Sequence, residues 1–321
     1  MTPVKKYPLY SPLFWKEYVV QMRPYLLFVS GIAGAAGMAM SKTETTETWK
    51  QVIAFFPFFM GYGFGQAFTD CFQTDTDKLS APYRPLSKEI VSIKAVLFAS
   101  LTGLVFCAAI FYLLHWISFL LSGLAVFGIA TYSYVKRNIT FAGPFYNAWI
   151  IALLPLMGYY SLADSGTDSF PSSYIPFILI TFFSYASFVL IGYLKDINAD
   201  QATGYKTIPV VWGWNKTMLI GDVFALATLA LFWFSTSHNR YETIPGILAS
   251  LLIIYGQCKG HFVENKNEEG SLDPILATVR SFVLFHIAII MHFQPVFWPF
   301  TIVYYVLFEI FLYKRPSLYQ I

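Results

Sequence analysis

Charged residues are scarce in this chain of 321 residues, where Asp, Glu, Lys and Arg together make up only 12%. A soluble domain of ordinary composition carries about 25% charged residues, so the chain lacks the polar side chains that cover a water-facing surface. Hydrophobic residues reach 56%, and the mean hydropathy is +0.55. The composition therefore excludes a soluble globule and indicates a membrane protein.

Net charge and cysteine are also low. The formal net charge is +3, which is too small to indicate a nucleic-acid partner. The three cysteines, Cys71, Cys107 and Cys258, are odd in number and show no CxxC or CxxH spacing. We therefore expect neither a zinc site nor a disulfide framework, and no nucleic acid among the partners.

Long apolar runs dominate what is present. Most contain roughly 17 to 25 residues, enough to cross a ~30 Å hydrocarbon core as a helix. The predicted spans are residues 24–40, 51–68, 90–113, 115–135, 146–163, 174–194, 217–235, 244–258 and 275–313. Pro295 and Pro299 interrupt the last run, which is one broken helix or two. The sequence thus predicts an all-α fold, a polytopic membrane bundle of about nine transmembrane helices.

Lys and Arg residues concentrate in alternate loops of this topology. They precede the first span and follow the second, fourth, sixth and eighth spans. Because cytoplasmic loops of membrane proteins are enriched in Lys and Arg, we expect these loops to be cytoplasmic. The lipid bilayer is therefore an expected partner, while the sequence leaves the oligomeric state open.

Two polar loops on this cationic side, 69–89 and 195–207, combine acidic and basic residues. They follow the second and sixth spans, four helices apart, which suggests a single domain over residues 1–321 made of two related helical halves. Carboxylates at a membrane surface cost free energy unless they are paired or coordinate an ion. These loops are therefore the candidate functional site.

The spacing of the acidic residues is compatible with a metal site. Asp70, Gln73 and Asp77 stand at i, i+3 and i+7 and share one face if the preceding helix continues through them. Asp196 and Asp200 stand at i and i+4. Oxygen ligands of this kind suit Mg²⁺, which binds one or two carboxylates together with substrate phosphates.

Cations near the two loops can bind the outer oxygens of such a phosphate group. The candidate cations are Arg84, Lys136, Arg137, Lys195 and Lys206. The plainer explanation is that charged loop residues form a solvated surface. Two acidic clusters on one side, each next to an apolar span, favour the functional interpretation.

At these residues the chain resembles the UbiA superfamily of intramembrane prenyltransferases. The family's first motif, NDxxDxxxD followed by a KPxRP-like turn, is similar to TDCFQTDTDKLSAPYRP at residues 69–85. Its second motif, DxxxDxxxGxKT, matches Asp196, Asp200, Gly204, Lys206 and Thr207. The segment YSYVKR, which begins at Tyr132, resembles the family's Tyr/Lys/Arg segment after the fourth helix.

The resemblance implies a central cavity that opens laterally to lipid, with both acidic motifs at its polar end. It implies that Mg²⁺ bridges the diphosphate of an isoprenyl substrate, with Asp70, Asp77, Asp196 and Asp200 as catalytic metal ligands. Gln73 stands at a further ligand position, and Tyr132 joins the five cations in the diphosphate-binding set. Thr69 and Gln73 replace the family's Asn and Asp, which reduces the negative charge of the first motif.

The altered first motif favours a terpene cyclase of this superfamily, which would ionise farnesyl or geranylgeranyl diphosphate and close the carbocation on its own double bonds. The alternative is a prenyltransferase that moves the prenyl group to an aromatic or lipid acceptor. A second alternative is a non-enzymatic transporter or scaffold.

Four other polar residues fall in or near predicted spans, where ionisable groups are functional candidates. These residues are Asn147, Asp222, His286 and Glu309. We expect Glu309 to pair with Lys314 or Arg315. His286, which is flanked by apolar residues, is expected to be a hydrogen-bonded interior residue rather than a metal ligand.

Overall fold

The computed structural model describes residues 6–41, 48–164 and 166–315, so the remaining residues of the predicted domain 1–321 lie outside it. Within these ranges the chain is helical and contains no strand, which confirms the predicted all-α fold. The helices are α1 Pro12–Gln21, α2 Pro24–Met40, α3 Thr48–Asp70, α4 Thr74–Ser80, α5 Ile93–Leu114, α6 Trp116–Asn138, α7 Ala142–Leu162, α8 Ile175–Gly192, α9 Ile197–Ala202, α10 Ile208–Ser235, α11 Arg240–Phe262, α12 Leu272–Phe293 and α13 Trp298–Tyr313.

Seven segments of the described chain are long and apolar enough to cross a membrane. Helices α1 and α2 meet at an angle of 61°, and the total is eight if this bent pair forms one span. The predicted count of about nine is therefore not confirmed. The run 275–313 forms two helices, because the backbone leaves the helical conformation at Gln294 and Pro295 begins a short 3₁₀ turn before α13.

Helix α12 lies at the centre of the bundle and contacts α2, α8 and α11. In the segment that contains it, 89% of the most apolar stretch is buried. Phe282, Phe285 and Ile289 are fully enclosed, since a helix that is apolar on every side packs against neighbours on every side. The hydroxyl of Ser281 donates to the carbonyl of Ala249 (2.9 Å), which satisfies a polar group inside the core.

The outer helices present apolar side chains away from the core. Val105 on α5, Leu124 on α6 and Val223 on α10 are exposed although they are hydrophobic. Such a surface is unsuited to water and suited to lipid tails. The architecture is thus a helical bundle with an apolar centre and an apolar circumference.

One end of the bundle carries both acidic loops. Helices α3, α6 and α8 end there, and α4, α9 and α10 begin there. The short helices α4 and α9 contact each other, and the backbone N–H of Lys206 donates to the carbonyl of Arg137 (3.2 Å). We call this end of the bundle the motif face.

Candidate functional site

The first acidic loop is not a continuation of α3. That helix ends at Asp70 and closes with 3₁₀-type bonds, because the N–H groups of Cys71, Phe72 and Gln73 bond to carbonyls three residues earlier. Helix α4 then begins at Thr74. The expectation that Asp70, Gln73 and Asp77 share one face of a continuing helix is therefore wrong.

Asp70 is enclosed by hydrogen-bond donors from α1, from α3 and from the junction between α1 and α2. Gln21 Nε2 donates to Oδ2 (2.5 Å), and Gln66 Nε2 donates to Oδ1 (2.8 Å). Arg23 Nη2 lies 2.8 and 3.0 Å from the two oxygens. Charge-assisted bonds of this kind are strong, so Asp70 ties the junction of α1 and α2 to the end of α3.

Asp77 pairs with Arg84, whose Nη1 lies 2.6 Å from Asp77 Oδ2 and 3.8 Å from Asp70 Oδ1. Despite this short contact, Asp77 Oδ2 is a buried oxygen that receives no well-directed hydrogen bond from the described part of the chain. Burial raises the pKa of the Asp77 carboxyl above its ordinary value, while the Arg84 guanidinium acts to lower it. The Asp77 carboxylate therefore retains an oxygen that another cation can bind.

The second acidic loop places its carboxylates differently from a regular i, i+4 helical pair. Asp196 ends a 3₁₀ turn, Tyr193–Asp196, and precedes α9, whereas Asp200 lies within α9. Asp200 is fully buried and accepts from Lys136 Nζ and Thr207 Oγ1, both at 3.2 Å. Asp196 Oδ1 lies 3.8 Å from Lys195 Nζ, and no group of the described chain donates a hydrogen bond to it.

Aromatic rings surround the cation that Asp200 binds. The Lys136 ammonium lies 5.0 Å from the ring centroids of both Tyr193 and Tyr205, a distance at which cation–π attraction operates. The hydroxyls of Tyr132 and Tyr193 are 2.7 Å apart. Lys136 and Tyr132, which the sequence placed in the diphosphate-binding set, therefore lie beside Asp200.

Direct contacts join the two acidic loops. The hydroxyls of Thr76 and Thr203 are 3.0 Å apart. Arg137 forms an ion pair with Asp75 on α4 and donates to the carbonyl of Thr203 (3.3 Å) beside α9. The structure thus brings carboxylates from two distant parts of the sequence to one end of the bundle.

Three predicted site residues lie at the edge of this arrangement. The Gln73 amide donates to Ser133 Oγ (2.9 Å) rather than contacting a carboxylate. The Lys206 side chain is exposed. Arg137 is 42% exposed and engages Asp75, so it links the loops from the outside.

A small cavity of about 50 Å³ lies between α3, α6 and α7, one helical turn below Asp70. Its lining is partly polar and includes Tyr62, Gln66, Tyr132 and Asn147. It shares residues with an apolar pocket of about 70 Å³ deeper in the bundle. The polar headgroup and the apolar tail of a single ligand can therefore occupy these two adjoining pockets.

The donor atoms of the motif face suit a divalent metal. Oxygen atoms alone supply the candidate ligands, as Mg²⁺ prefers. Asp196 Oδ1 is buried without a hydrogen-bond donor, and Asp77 Oδ2 is buried with the ion-paired Arg84 as its neighbour. Among the residues of known position, no three His, Cys, Asp or Glu side chains converge on one point. The arrangement therefore fits an ion that binds one or two carboxylates and takes its other ligands from a substrate.

Two of these polar residues, His286 and Asp222, have partners other than the motif carboxylates. His286 is fully buried and contacts Thr181 Oγ1 (2.9 Å) and the carbonyl of Phe282 (2.7 Å), as expected of an interior histidine. Asp222 pairs with His261 on the neighbouring helix, with 2.8 Å between Oδ2 and Nε2.

The predicted partner of Glu309 was wrong. Glu309 does not pair with Lys314 or Arg315 on its own helix but binds Arg280 on α12 through two parallel bonds of 2.8 Å. This bidentate geometry matches the guanidinium fork better than a contact along one helix does. Helix α13 is therefore attached to the central helix by an ion pair.

Gln21 and Gln66 are contacts of the site that sequence reasoning missed. Neither belongs to an acidic motif, and Gln21 reaches Asp70 only because α1 and α2 meet at a sharp angle. Amide side chains carry no charge pattern, so nothing in the sequence distinguishes these two from ordinary polar residues.

The chain was compared with known proteins. The UbiA prenyltransferase family matches residues 28–272. Digeranylgeranylglyceryl phosphate synthase of Thermococcus kodakarensis is 26% identical over 219 residues, which cover 67% of this chain and 76% of that protein.

Two solved structures share the fold. A UbiA homolog from Aeropyrum pernix superimposes with a TM-score of 0.65 at 18% identity, covering 82% of this chain and 94% of that one. A UbiA homolog from Archaeoglobus fulgidus, bound to DMAPP and Mg²⁺, gives a TM-score of 0.64 at 16% identity, covering 84% and 99%. The family match, the long apolar helices and the shared fold lead to one conclusion: this chain is a multi-pass membrane protein of the UbiA prenyltransferase family.

Proposed function

We propose that the protein transfers an isoprenyl group from its diphosphate to a lipid acceptor that carries a glycerol phosphate. The observation that carries the proposal is the meeting of two acidic loops and buried cations at one end of an apolar bundle. Relatives that are digeranylgeranylglyceryl phosphate synthases support transfer, and they favour it over the predicted cyclisation.

Three buried cations of the motif face have the charge and position to bind the diphosphate. Arg84, Lys136 and Lys195 each lie beside one of the acidic residues and have little contact with solvent. Asp77 and Asp196 are the residues that would hold Mg²⁺, which when bound neutralises charge on the leaving diphosphate. Because each of these cations already lies beside a carboxylate, the diphosphate would depend on the bound metal for the rest of its charge compensation.

In the proposed transfer, the C–O bond between the isoprenyl carbon and the diphosphate breaks. A new C–O bond forms to the hydroxyl oxygen of the acceptor, and the departing diphosphate takes up the proton that this hydroxyl releases. Tyr62 and Tyr132 line the cavity below Asp70, and their ring faces attract the positive charge that develops on the isoprenyl carbon. The apolar surroundings keep water from capturing that carbon first.

We infer that the motif face is the cytoplasmic face. The loops that follow α3, α6, α8 and α11 all lie on this side of the bundle and carry Lys or Arg residues, in the pattern typical of cytoplasmic loops. The diphosphate substrate would then enter the site from the cytoplasm.

The test uses purified protein in liposomes, supplied with Mg²⁺ and either farnesyl or geranylgeranyl diphosphate. We expect release of diphosphate only when a single-chain glycerol ether phosphate is also present, together with a lipid product that contains both chains. A cyclic hydrocarbon formed without any acceptor would instead support the cyclase. Failure to consume either diphosphate under all conditions would leave the transporter or scaffold interpretation.

A carboxylate variant and its control show whether the motif face performs the reaction. We expect Asp77→Asn to lower turnover by about 100-fold, because the variant loses a carboxylate that would hold the Mg²⁺ needed to neutralise the leaving diphosphate. Glu89→Gln is the matched control, since Glu89 is an exposed residue of the same loop whose observed partner is Lys78 (2.6 Å). Equal activity of the two variants would contradict the proposed site.

A further inference from the structure

Four buried hydrogen-bond donors at the motif face have no well-aligned acceptor within the ranges that the structure describes. They are the Nε–H groups of Arg23 and Arg84 and the hydroxyls of Tyr25 and Tyr83. Buried donors without partners are rare in proteins because each one costs free energy. Their presence in one region indicates that an acceptor group belongs there. We call these four residues the donor cluster.

The members of the donor cluster are neighbours in space. Tyr25 interacts electrostatically with Arg23, Arg84 and Tyr83, and Tyr83 interacts with both arginines. Tyr25 is 1% exposed and Arg84 is 5% exposed, so the cluster is shielded from water. The Nη groups of Arg23 and Arg84 pair with Asp70 and Asp77, but their Nε–H groups and the two tyrosine hydroxyls can still donate to a bound acceptor.

A cavity of about 320 Å³ adjoins this cluster between the junction of α1 and α2 and the end of α13. We call it the α13 pocket. Its lining residues are Val20, Pro24, Tyr25, Ile310, Phe311, Lys314 and Arg315. Tyr25 therefore belongs both to the donor cluster and to the wall of the pocket, and Arg315 interacts electrostatically with Tyr25 and Tyr83.

The chemistry of the α13 pocket differs from that of the acidic loops. None of the lining residues identified is acidic, and two are cationic. The pocket therefore offers an anion direct contacts rather than contacts through a divalent metal. The small cavity below Asp70 shares no lining residue with it.

The backbone at the edge of the pocket is strained. Arg23 has φ +55°, a left-handed conformation that is costly for any residue other than glycine. This conformation makes the 61° bend between α1 and α2 and allows Arg23 to reach Asp70. Backbone strain of this kind concentrates at functional sites. The strain at Arg23 therefore agrees with ligand binding at the junction of α1 and α2.

The wall of the pocket includes exposed apolar side chains. Ile310 and Phe311 are 42% and 43% exposed on a helix whose outer surface is apolar. A ligand in the pocket can therefore place an alkyl chain against α13 and its charged group against Lys314, Arg315 and the donor cluster. This combination selects an anionic amphiphile over a soluble anion.

We propose that the α13 pocket binds the phosphate monoester of the acceptor lipid and that the donor cluster provides its innermost contacts. The proposal rests on the proposed transfer reaction and assigns the acceptor a site separate from that of the isoprenyl diphosphate. The acceptor enters from the bilayer between α2 and α13, with its phosphate bound by protein groups alone. Arg84 is the contact between the two neighbouring sites, because its Nη1 pairs with Asp77 while its Nε–H belongs to the donor cluster.

A direct binding experiment tests this site without any turnover. The full chain in nanodiscs is titrated in EDTA with three probes: a single-chain glycerol ether phosphate, the same ether lipid without phosphate, and soluble glycerol phosphate. We expect the lipid phosphate to bind at least about tenfold more tightly than either other probe, since a charged hydrogen-bond acceptor contributes this much. Equal binding of the uncharged lipid, or competition by glycerol phosphate at the same concentration, overturns the proposal.

Tyr25→Phe is the decisive variant, because it removes one unpartnered hydroxyl and leaves the ring in place. We expect it to weaken binding of the lipid phosphate about tenfold while the unfolding temperature stays equal or rises. Tyr313→Phe is the control, since Tyr313 lies on the same end of α13 but is exposed and outside the pocket. Wild-type affinity in Tyr25→Phe would contradict the assignment.

Kinetics separate this inference from the proposed function. In the transfer assay, we expect Tyr25→Phe and Lys314→Gln to raise the KM for the acceptor and to leave the KM for the isoprenyl diphosphate unchanged. If the wild-type protein binds the acceptor but shows no turnover, the transfer reaction is contradicted and the binding role of the α13 pocket is not. If both variants turn over with an unaltered KM for the acceptor, the proposed role of the α13 pocket is contradicted and the transfer reaction is not.

Discussion

Asp70 and Asp196 are both acidic residues of the motif face, but their surroundings differ. Asp70 accepts hydrogen bonds from Gln21, Arg23 and Gln66, so its charge is compensated by protein groups. Asp196 has one cation 3.8 Å away and an oxygen without a hydrogen-bond donor. We infer that Asp70 stabilises the site and that Asp196 acts on ligands.

Asparagine variants distinguish these two roles. We expect Asp70→Asn to reduce the free energy of unfolding by about 3 kcal/mol, because it leaves the guanidinium of Arg23 buried without a counter-charge. We expect Asp196→Asn to unfold at nearly the wild-type temperature and to lose about 100-fold in turnover. Thermal unfolding in detergent and the transfer assay measure the two effects. A stable Asp70→Asn protein would contradict the stabilising role.

The sequence predicted which charged residues gather at the motif face better than it predicted their geometry. Charge and motif spacing identified Asp77, Arg84, Lys136 and Asp200, all of which lie buried at the motif face. The spacing could not predict the break after Asp70, because it depends on how tightly α3 closes in its last turn. Nor could the spacing predict the contacts of Gln21 and Gln66 with Asp70, which depend on the angle between helices.

Helices α2 and α7 approach each other closely through glycine. A Cβ atom at Gly37 would lie 2.0 Å from the carbonyl oxygen of Pro155, and one at Gly158 would lie 2.2 Å from the carbonyl oxygen of Gly34. Small residues allow the backbones of membrane helices to come this near and to gain dispersion energy. The position of α2 beside α7 therefore depends on these glycines.

We expect Gly37→Ala to reduce the free energy of unfolding by about 2–3 kcal/mol, since the added methyl group meets backbone that cannot move away. Gly123→Ala is the matched control on α6, where a Cβ would have no neighbour within 4 Å. That change should be neutral or stabilising by at most about 1 kcal/mol, because alanine favours the helix. Similar unfolding temperatures for the two variants would refute the close-packing argument.

Long apolar helices were predicted well, and short polar ones were not. The runs 115–135 and 146–163 correspond to α6 and α7 with small shifts at their ends, because twenty apolar residues in succession leave few other conformations in a membrane. Helices α4 and α9 contain seven and six residues. Their stability comes from contacts between the two loops, which local sequence patterns do not show.

At the scale of the whole molecule, the two acidic loops meet although more than a hundred residues separate them. An even number of spans between the loops predicts that both lie on one side, and the structure places them at one end of the bundle. The sequence did not predict the α13 pocket, because its walls come from opposite ends of the chain. Alternating loop charge predicts which side faces the cytoplasm.

Cysteine labelling checks this orientation in intact vesicles. Glu264 and Asp168 are exposed residues in loops at opposite ends of the bundle, so each is replaced by cysteine in a Cys258→Ser background. Cys71 and Cys107 are buried and should not react with a membrane-impermeant maleimide. We expect Glu264→Cys to react in inside-out vesicles and Asp168→Cys to react in right-side-out cells. The reverse pattern would place the motif face outside and would require the isoprenyl diphosphate to be supplied there, contrary to the distribution of positive charge.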